Sequence, residues 1–510
     1  MRLSLVYKLV LPGLLVLYTG VMLGLHLGLL QRAVVVANDN QQFLQQLLPE
    51  NSKEMEPVYR HESHFGVYNQ KDRRPLNDLQ SYRKVEQERQ TLKLMESSDG
   101  GGTLQTKSST SVGNISVFSV YYDNRPTLKN GQPCMRIIAL KRFNSVESLI
   151  CHFNYGHNTW LKVHAHSYEM CENHGRYYGG WIFSCEIPEE ILNNTVLEKL
   201  TVLSISSTFH PEKQVKLKIT AITFKESFEK SSSSVTIPSS IHSHLKFENS
   251  QKQKFGLCLP PIFGDISLSL LIQFIELSKI LGSSHLTFYI YDISDAVEKL
   301  LTFYEEEGEV TLVNWKLSPQ INEREIWYHG QLLAIQDCLY RHMADFEYLL
   351  FVDLDEFLLP VYNYTWSDMV HFLRNFESES NNVAGFSFKS AFFDPKQVPD
   401  PSQQLTFLQL LLRNKVLSSV RTKLMVAPQK IFELGIHHVS KTIHKDMRIL
   451  EVDPGIAKIH HYRPCIINYE PDMKCYSEER DETILKYATN LVENYQTIIR
   501  ETLDLFVPDR

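Results

Sequence analysis

The chain has 510 residues, 43% hydrophobic and 22% charged, with a formal net charge of -7. This is ordinary globular composition with room for about three domains. The slight acidic excess excludes the basic surface that a nucleic-acid-binding protein needs.

Residues 1–8 carry Arg2 and Lys8, and "LVLPGLLVLYTGVMLGLHLGLL" occupies 9–30 without a formal charge. At about 1.5 Å per residue, 22 residues span a hydrocarbon core of about 30 Å. The run exceeds the roughly 7–15 apolar residues of a cleaved signal peptide, so it is predicted to be an uncleaved transmembrane signal-anchor. Basic residues precede the span and only Arg32 lies closely after it, which predicts a cytoplasmic N-terminus and a single-pass type II protein. Three N-x-S/T sequons, at Asn114, Asn193 and Asn363, all lie beyond the span and permit glycosylation there. Eight cysteines, all beyond residue 130 and none in a C-x-x-C pair, fit luminal disulfides better than zinc. Cys338, on an apolar helical stretch, is the candidate for a buried free thiol.

Residues 31–112 are polar and end in "SSDGGGTLQTKSSTS", the composition of a stem that cannot bury enough apolar surface to order itself. At 113–228 come seven short β-branched and aromatic runs, among them "ISVFSVYYD", "MRIIALKRF" and "GGWIFSCEI", which predict an antiparallel β-sandwich-like domain. The serine-rich stretch 229–254 reads as a linker. From residue 255 to 510 strands and helices alternate. "FGLCLPP", "SHLTFYIYDIS", "VTLVNWKL" and "YLLFV" are the strands, and "SLLIQFIELSKILG", "SDAVEKLLTFYEEEG" and "WYHGQLLAIQDCLYRHMADF" are the helices. Near-continuous apolar strands between helices predict an α/β domain with a mainly parallel sheet and flanking helices.

Such sheets bind ligands at the carboxyl ends of their strands. There "YLLFVDLDEFLLP" places Asp353, Asp355 and Glu356 in an apolar run with no basic residue of its own. Buried carboxylates demand a partner. In an extended segment residues two apart share a side, so Asp353 and Asp355 are expected to converge on a hard divalent cation that also holds a diphosphate.

The run "GQLLAIQDCLYRH…YLLFVDLDEFLLP", with "LGSSHLTFYIYD" upstream and "SFKSAFFD", "RTKLMVAPQKIFELGIHHV" and "GIAKIHHYR" downstream, resembles the core of the family-92 glycosyltransferases, which include animal β-1,4-galactosyltransferases. The resemblance implies a GT-A-like fold, a UDP-sugar donor, Mn2+ and inversion at the anomeric carbon. It also implies a glycan acceptor and a Golgi membrane protein with a luminal catalytic domain. Carried onto this sequence, it makes Asp353 and Asp355 metal ligands, with His461 the preferred third ligand and His437 and His438 its rivals. Glu356 is expected to point the other way and accept backbone hydrogen bonds. Lys423 and Arg463 become candidates to face the donor diphosphate, and Tyr291 and Asp292 to face the uracil or ribose. Asp394 in "SAFFDP" is the expected general base, with Glu433 the alternative. A protein that kept this fold for carbohydrate binding or adhesion without turnover is the competing reading.

Overall fold

The computed structural model describes residues 109–125, 131–156, 159–192, 202–222, 253–317, 321–376, 382–465, 475 and 477–502. The expected span at 9–30, nearly all of the stem, all but the last two residues of the linker and Asn193 lie outside the described residues. Among the described residues no helix is long and apolar enough to cross a membrane.

The N-terminal part is two sheets face to face. One runs Thr110–Val112, Ile115–Asp123, Cys134–Arg142, Tyr178–Glu186, His166–Glu169, with Ala221–Ile222 beside Ile115–Asp123. The other runs Thr159–His164, Leu149–Gly156, Val202–Ser207, Val215–Lys218. Val117, Ile137, Phe153, Phe183 and Ile205 fill the space between them, and a Cys151–Cys185 disulfide ties sheet to sheet. The run "WLKVHAHSYEM" is two strands, since the chain changes sheet at Ala165. Cys134–Arg142 is buried on both faces except at its last residue. Ile137 and Ala139 face the sandwich core, while Ile138 and Leu140 face the C-terminal part. That double burial is why the strand reads as a continuous apolar run rather than an alternating one.

The C-terminal part is built on a nine-stranded sheet. Its strands are β1 (Gln253–Phe263), β2 (His285–Asp292), β3 (Val310–Asn314), β4 (Phe346–Phe351), β5 (Glu356–Pro360), β6 (Val383–Phe392), β7 (Ser418–Val426), β8 (Arg448–Glu451) and β9 (Ala457–His461). They lie in the order β3-β2-β1-β4-β7-β6-β9-β5, with β8 beside β6. Helices α1 (Leu268–Leu281), α2 (Asp295–Glu306) and α3 (Gln331–Arg341) make the crossovers between β1, β2, β3 and β4, and α4 (Trp366–Phe376) and α5 (Ala488–Thr502) come later in the chain. Ser294 caps α2 by accepting from the Val297 N–H, and Gly282, at φ 116°, ends α1.

The expected mainly parallel sheet needs correction. β3, β2, β1 and β4 are parallel, but β7 runs antiparallel to both β4 and β6, and β5 antiparallel to β9. Helical crossovers enforce the parallel direction of β1 to β4, and β6 pairs in parallel with β8 and β9, so the correction concerns β7 and β5. Both faces of the first half are covered. Leu257 and Leu350 pack on the side of α1 and α2, and Cys258, Leu349 and Phe351 on the side of α3. Helix α3 is buried between this sheet and the sandwich, so the two parts share a core containing Tyr121, Ile138, Leu333 and Leu339. Cys338 is not a free thiol: it is bonded to Cys258 of β1, and the free cysteines among the described residues are Cys134 and Cys171.

Candidate active site

The segment between β4 and β5 is a turn rather than an extended strand end. The Glu356 N–H donates to the Asp353 carbonyl at 3.1 Å. This geometry brings first and fourth residues together and sends Asp355 elsewhere. Asp353 and Glu356 converge on one ammonium. Lys423 Nζ of β7 lies 2.8 Å from Asp353 Oδ2 and 2.8 Å from Glu356 Oε2. Glu356 Oε2 also accepts the Asp353 N–H at 2.9 Å, a backbone bond of the expected kind. Asp355 meets His461 at the end of β9, Nε2 lying 3.5 Å from Oδ2, and the Tyr462 N–H donates to the Asp355 carbonyl at 2.8 Å. On the other side of the same imidazole, Nδ1 lies 3.1 Å from Glu356 Oε1. β5 and β9 pair Glu356 directly with His461, which fixes this contact by register.

Electrostatics derive from that arrangement. Burial opposes charge on Lys423, but the two carboxylates outweigh it and hold the ammonium above the ordinary lysine value. Burial would also raise Asp353, yet Lys423 holds it below the usual carboxylate range. Glu356 is almost wholly enclosed, and burial pushes it up against the pull of the shared ammonium. Three carboxylates are gathered here around one lysine, an excess of acidic groups. A divalent cation fits that balance.

The residues able to hold such a cation are fewer than expected. Among the described residues no three His, Cys, Asp or Glu side chains are gathered closely enough to ligate one ion together. Asp353 is occupied by Lys423, because a turn does not keep residues two apart on one side. Asp355 and His461 remain as facing donors, and phosphate oxygens of a donor would complete a hard-cation site. Lys423, expected to face the diphosphate, is buried as the counter-ion of the acidic turn. Arg463 lies two residues after His461 and is half-buried.

Asp394 lies two residues beyond Phe392, which pairs in parallel with His461, so it sits at the same strand ends. Its Oδ1 accepts the Lys396 N–H at 2.9 Å, a local turn cap. Glu433 is placed elsewhere: fully buried, it accepts from Tyr168 Oη at 2.6 Å and from the Cys171 N–H at 2.7 Å, joining the sandwich to the strand Ile431–Leu434. His437 packs near Lys423 with Nδ1 3.0 Å from the Thr422 carbonyl oxygen, and burial, then Lys423, pull it down to about 3. His438 is exposed, 3.7 Å from Glu172. Asn114 is exposed at a hairpin turn, and Asn363 is partly exposed just before α4.

Tyr291 and Asp292 end β2. Tyr291 Oη donates to Glu323 at 2.6 Å, and its ring lies 4.2 Å from that of His329, which lies 4.2 Å from that of Phe263. Here the sequence pattern misleads. "WYHGQLL" is not continuous helix, since Tyr328, His329 and Gly330 all have positive φ (40°, 53° and 84°) and α3 begins only at Gln331. Two non-glycine residues in this region store strain, as segments beside ligand sites commonly do. Gly330 was its one sequence signal.

An acidic turn lying across strand ends, backed by a buried lysine and a histidine, in an α/β domain with parallel crossovers, is the kind of centre that handles phosphorylated donors. Residues 253–496 match the model of glycosyltransferase family 92. The chain is similar to "Beta-1,4-galactosyltransferase galt-1" of Caenorhabditis elegans, at 25% identity over 391 residues, 75% of this chain and 80% of that protein. That alignment is longer than the family domain and so reaches into the sandwich. A second family-92 protein of C. elegans is 27% identical over 235 residues, 44% of this chain and 45% of that one. "Galactan beta-1,4-galactosyltransferase GALS1" of Arabidopsis thaliana is 25% identical over 216 residues, 40% of this chain and 42% of that one. Among solved structures, S. aureus TarS 1–349 aligns with a TM-score of 0.25 and 12% identity over 41% of this chain and 60% of that chain, too low to carry any argument.

Proposed function

We infer that this glycosyltransferase is a divalent-cation-dependent, inverting galactosyltransferase. It takes UDP-galactose as donor and a glycan on a glycoprotein as acceptor, and works in the Golgi lumen from a single-pass type II anchor at residues 9–30. The observation that carries the cation reading is the surplus of negative charge facing His461, with Asp355 and His461 aimed at each other 3.5 Å apart. Galactose is suggested by the names of two relatives at about a quarter identity.

In this reading Asp355 and His461 hold the cation. Mn2+ bound there would offset the charge that the leaving diphosphate gains as the glycosidic bond breaks. Lys423 keeps the acidic turn closed. Arg463 contributes positive charge near the phosphates, and Tyr291 and Asp292 border the nucleoside. Asp394 takes the proton from the acceptor hydroxyl as its oxygen bonds to the anomeric carbon and UDP departs.

The test is a donor screen. The purified chain is incubated with UDP-galactose, UDP-glucose and UDP-N-acetylhexosamines, with and without Mn2+, and UDP release is measured in the presence of glycan acceptors. Release specific to UDP-galactose and abolished by EDTA is the expected result. Release with another donor would reassign the sugar. Tight glycan binding without release from any donor would establish a carbohydrate-binding protein instead.

A further inference from the structure

The strained turn ahead of α3 is held from the sandwich. Tyr328 and His329 take positive φ in succession, at 40° and 53°. Such backbone persists only where its surroundings over-determine it. The loop that joins His166–Glu169 to Tyr178–Glu186 carries His174, itself at φ 52°, whose ring stacks on Trp327 with centroids 4.2 Å and planes 26° apart. The Arg176 guanidinium lies over the same indole at 5.5 Å, and its Nη1 donates to the Arg324 carbonyl at 3.1 Å. On the far side of the turn, Trp315 Nε1 donates to the His329 carbonyl at 2.9 Å, and Phe118 of the sandwich stacks on Trp315 at 4.5 Å. The loop itself is anchored, since Glu433 accepts the Cys171 N–H at 2.7 Å and Glu172 Oε2 accepts the Ile436 N–H at 2.6 Å.

The turn falls between β3 and α3, beyond the carboxyl end of β3, where such sheets take ligands. It lays the His329 ring 4.2 Å from Tyr291 at the end of β2 and 4.2 Å from Phe263 at the end of β1. A displacement of Trp327 therefore moves an aromatic wall beside Tyr291 and Asp292.

We propose that His174 and Arg176 are positioning residues for donor binding, through which the sandwich sets the wall that the donor's nucleoside lies against. The proposal rests on the reading above that Tyr291 and Asp292 border that nucleoside. Neither positioning residue touches the donor. Each acts through Trp327, holding the turn in place before the ligand arrives, so that binding does not have to order it.

The test removes the brace and leaves the wall. In the full chain His174→Asn loses the ring but keeps a residue that tolerates positive φ, and Arg176→Ala removes the guanidinium. The double variant should bind UDP about 10-fold more weakly by calorimetry, the scale of a stacked ring pair plus a cation–π contact. Its KM for UDP-galactose should rise alike while kcat at saturating donor stays near the wild-type value. Affinity for inorganic diphosphate, which has no nucleoside, should not change. Hydrogen exchange of the amides at 327–330 should quicken.

A folded variant with a lower melting temperature but unchanged UDP affinity would overturn the proposal, as would equal weakening of UDP and inorganic diphosphate. If the double variant does not fold, H174N alone, at an exposed position, decides by the same measurements. Failure of the wild type to bind UDP overturns the donor reading and this proposal with it. That outcome is told apart from failure of the proposal alone, in which wild type and variant bind UDP equally.

Discussion

Lys423 is the residue that lets three carboxylates sit in an apolar run. Its ammonium comes from a strand 70 residues away from Asp353, and nothing near "VDLDE" announces it. The two aspartates are consequently unequal. Asp353 is bound into the ion pair, whereas Asp355 faces His461. Asp355→Asn should therefore abolish cation binding and transfer while moving the melting temperature little, because the amide oxygen is a poor ligand for a hard cation but fits the same turn. Calorimetric Mn2+ titration beside a thermal melt checks it, and retained binding would move the site elsewhere. Asp394→Asn separates two roles that share one side chain. As the base, its loss lowers kcat about 10²–10⁴-fold while UDP affinity survives. As a cap for the Lys396 N–H alone, it lowers stability with a modest kinetic change. Measuring kcat, UDP affinity and melting temperature on this variant distinguishes them. The strand before the acidic turn and the histidines after an apolar run were legible because both obey local periodicity. The counter-ion was not, because ion-pair partners are chosen by tertiary register.

Among the elements, α3 carries the most. Its Asp337 is buried, accepts the hydroxyls of Tyr121 from the sandwich and Tyr289 from β2 at 2.6 Å each, and pairs with Arg341 at 2.8 Å. Asp337→Ala leaves the buried Tyr289 hydroxyl and the Arg341 guanidinium without this acceptor and the Tyr121 hydroxyl with only the residue-337 carbonyl at 3.2 Å, and should cost about 3–5 kcal/mol. Equilibrium denaturation gives the value, and a loss under about 1 kcal/mol, the worth of a single exposed pair, would show that the network is dispensable. The helical period identified α3 but started it early, since hydrophobic spacing does not register a positive-φ turn. The disulfide from Cys338 was likewise hidden, because helix-to-strand pairing depends on packing and leaves no spacing in the chain. A second junction, in the sandwich, gives a pH prediction. Asp123 is fully buried, and although burial alone would raise it, Arg125 and Arg136 at 2.9 and 3.0 Å bring it down from 3.8 to about 2. A depressed carboxylate contributes its stability above its unfolded value and loses it as pH falls through the folded one. About 2 kcal/mol should thus be present above about pH 4 and disappear toward about pH 2. Asp123→Asn should flatten that part of the stability–pH curve, and an unchanged slope would argue against the pairing.

For the whole molecule, the alternation of strands and helices predicted the right class of sheet for β1 to β4 and the wrong direction for β7 and β5 of the same sheet. It also divided the chain into a sandwich, a linker and a catalytic domain, which hides a physical coupling. The sandwich buries one face of Cys134–Arg142 against α3. Arg125 Nη1 donates to the Ile431 carbonyl at 2.6 Å, and Glu433 takes two hydrogen bonds back from the sandwich. Arg125, Ile431 and Glu433 are buried, so separating the parts would leave charges and a backbone carbonyl in an exposed apolar surface, at a few kcal/mol apiece. A fragment of residues 253–510, which contains every candidate catalytic residue, is accordingly expected to aggregate or to unfold without a sharp transition. A fragment of residues 109–510 should unfold cooperatively. Differential scanning calorimetry of the two, with near-ultraviolet circular dichroism to detect fixed side chains, provides the comparison. A sharp transition in the shorter fragment at the melting temperature of the longer one would mean that the sandwich is an appendage. Its absence would mean that the sandwich is a structural half of the enzyme, and that the family domain folds in this chain only against it.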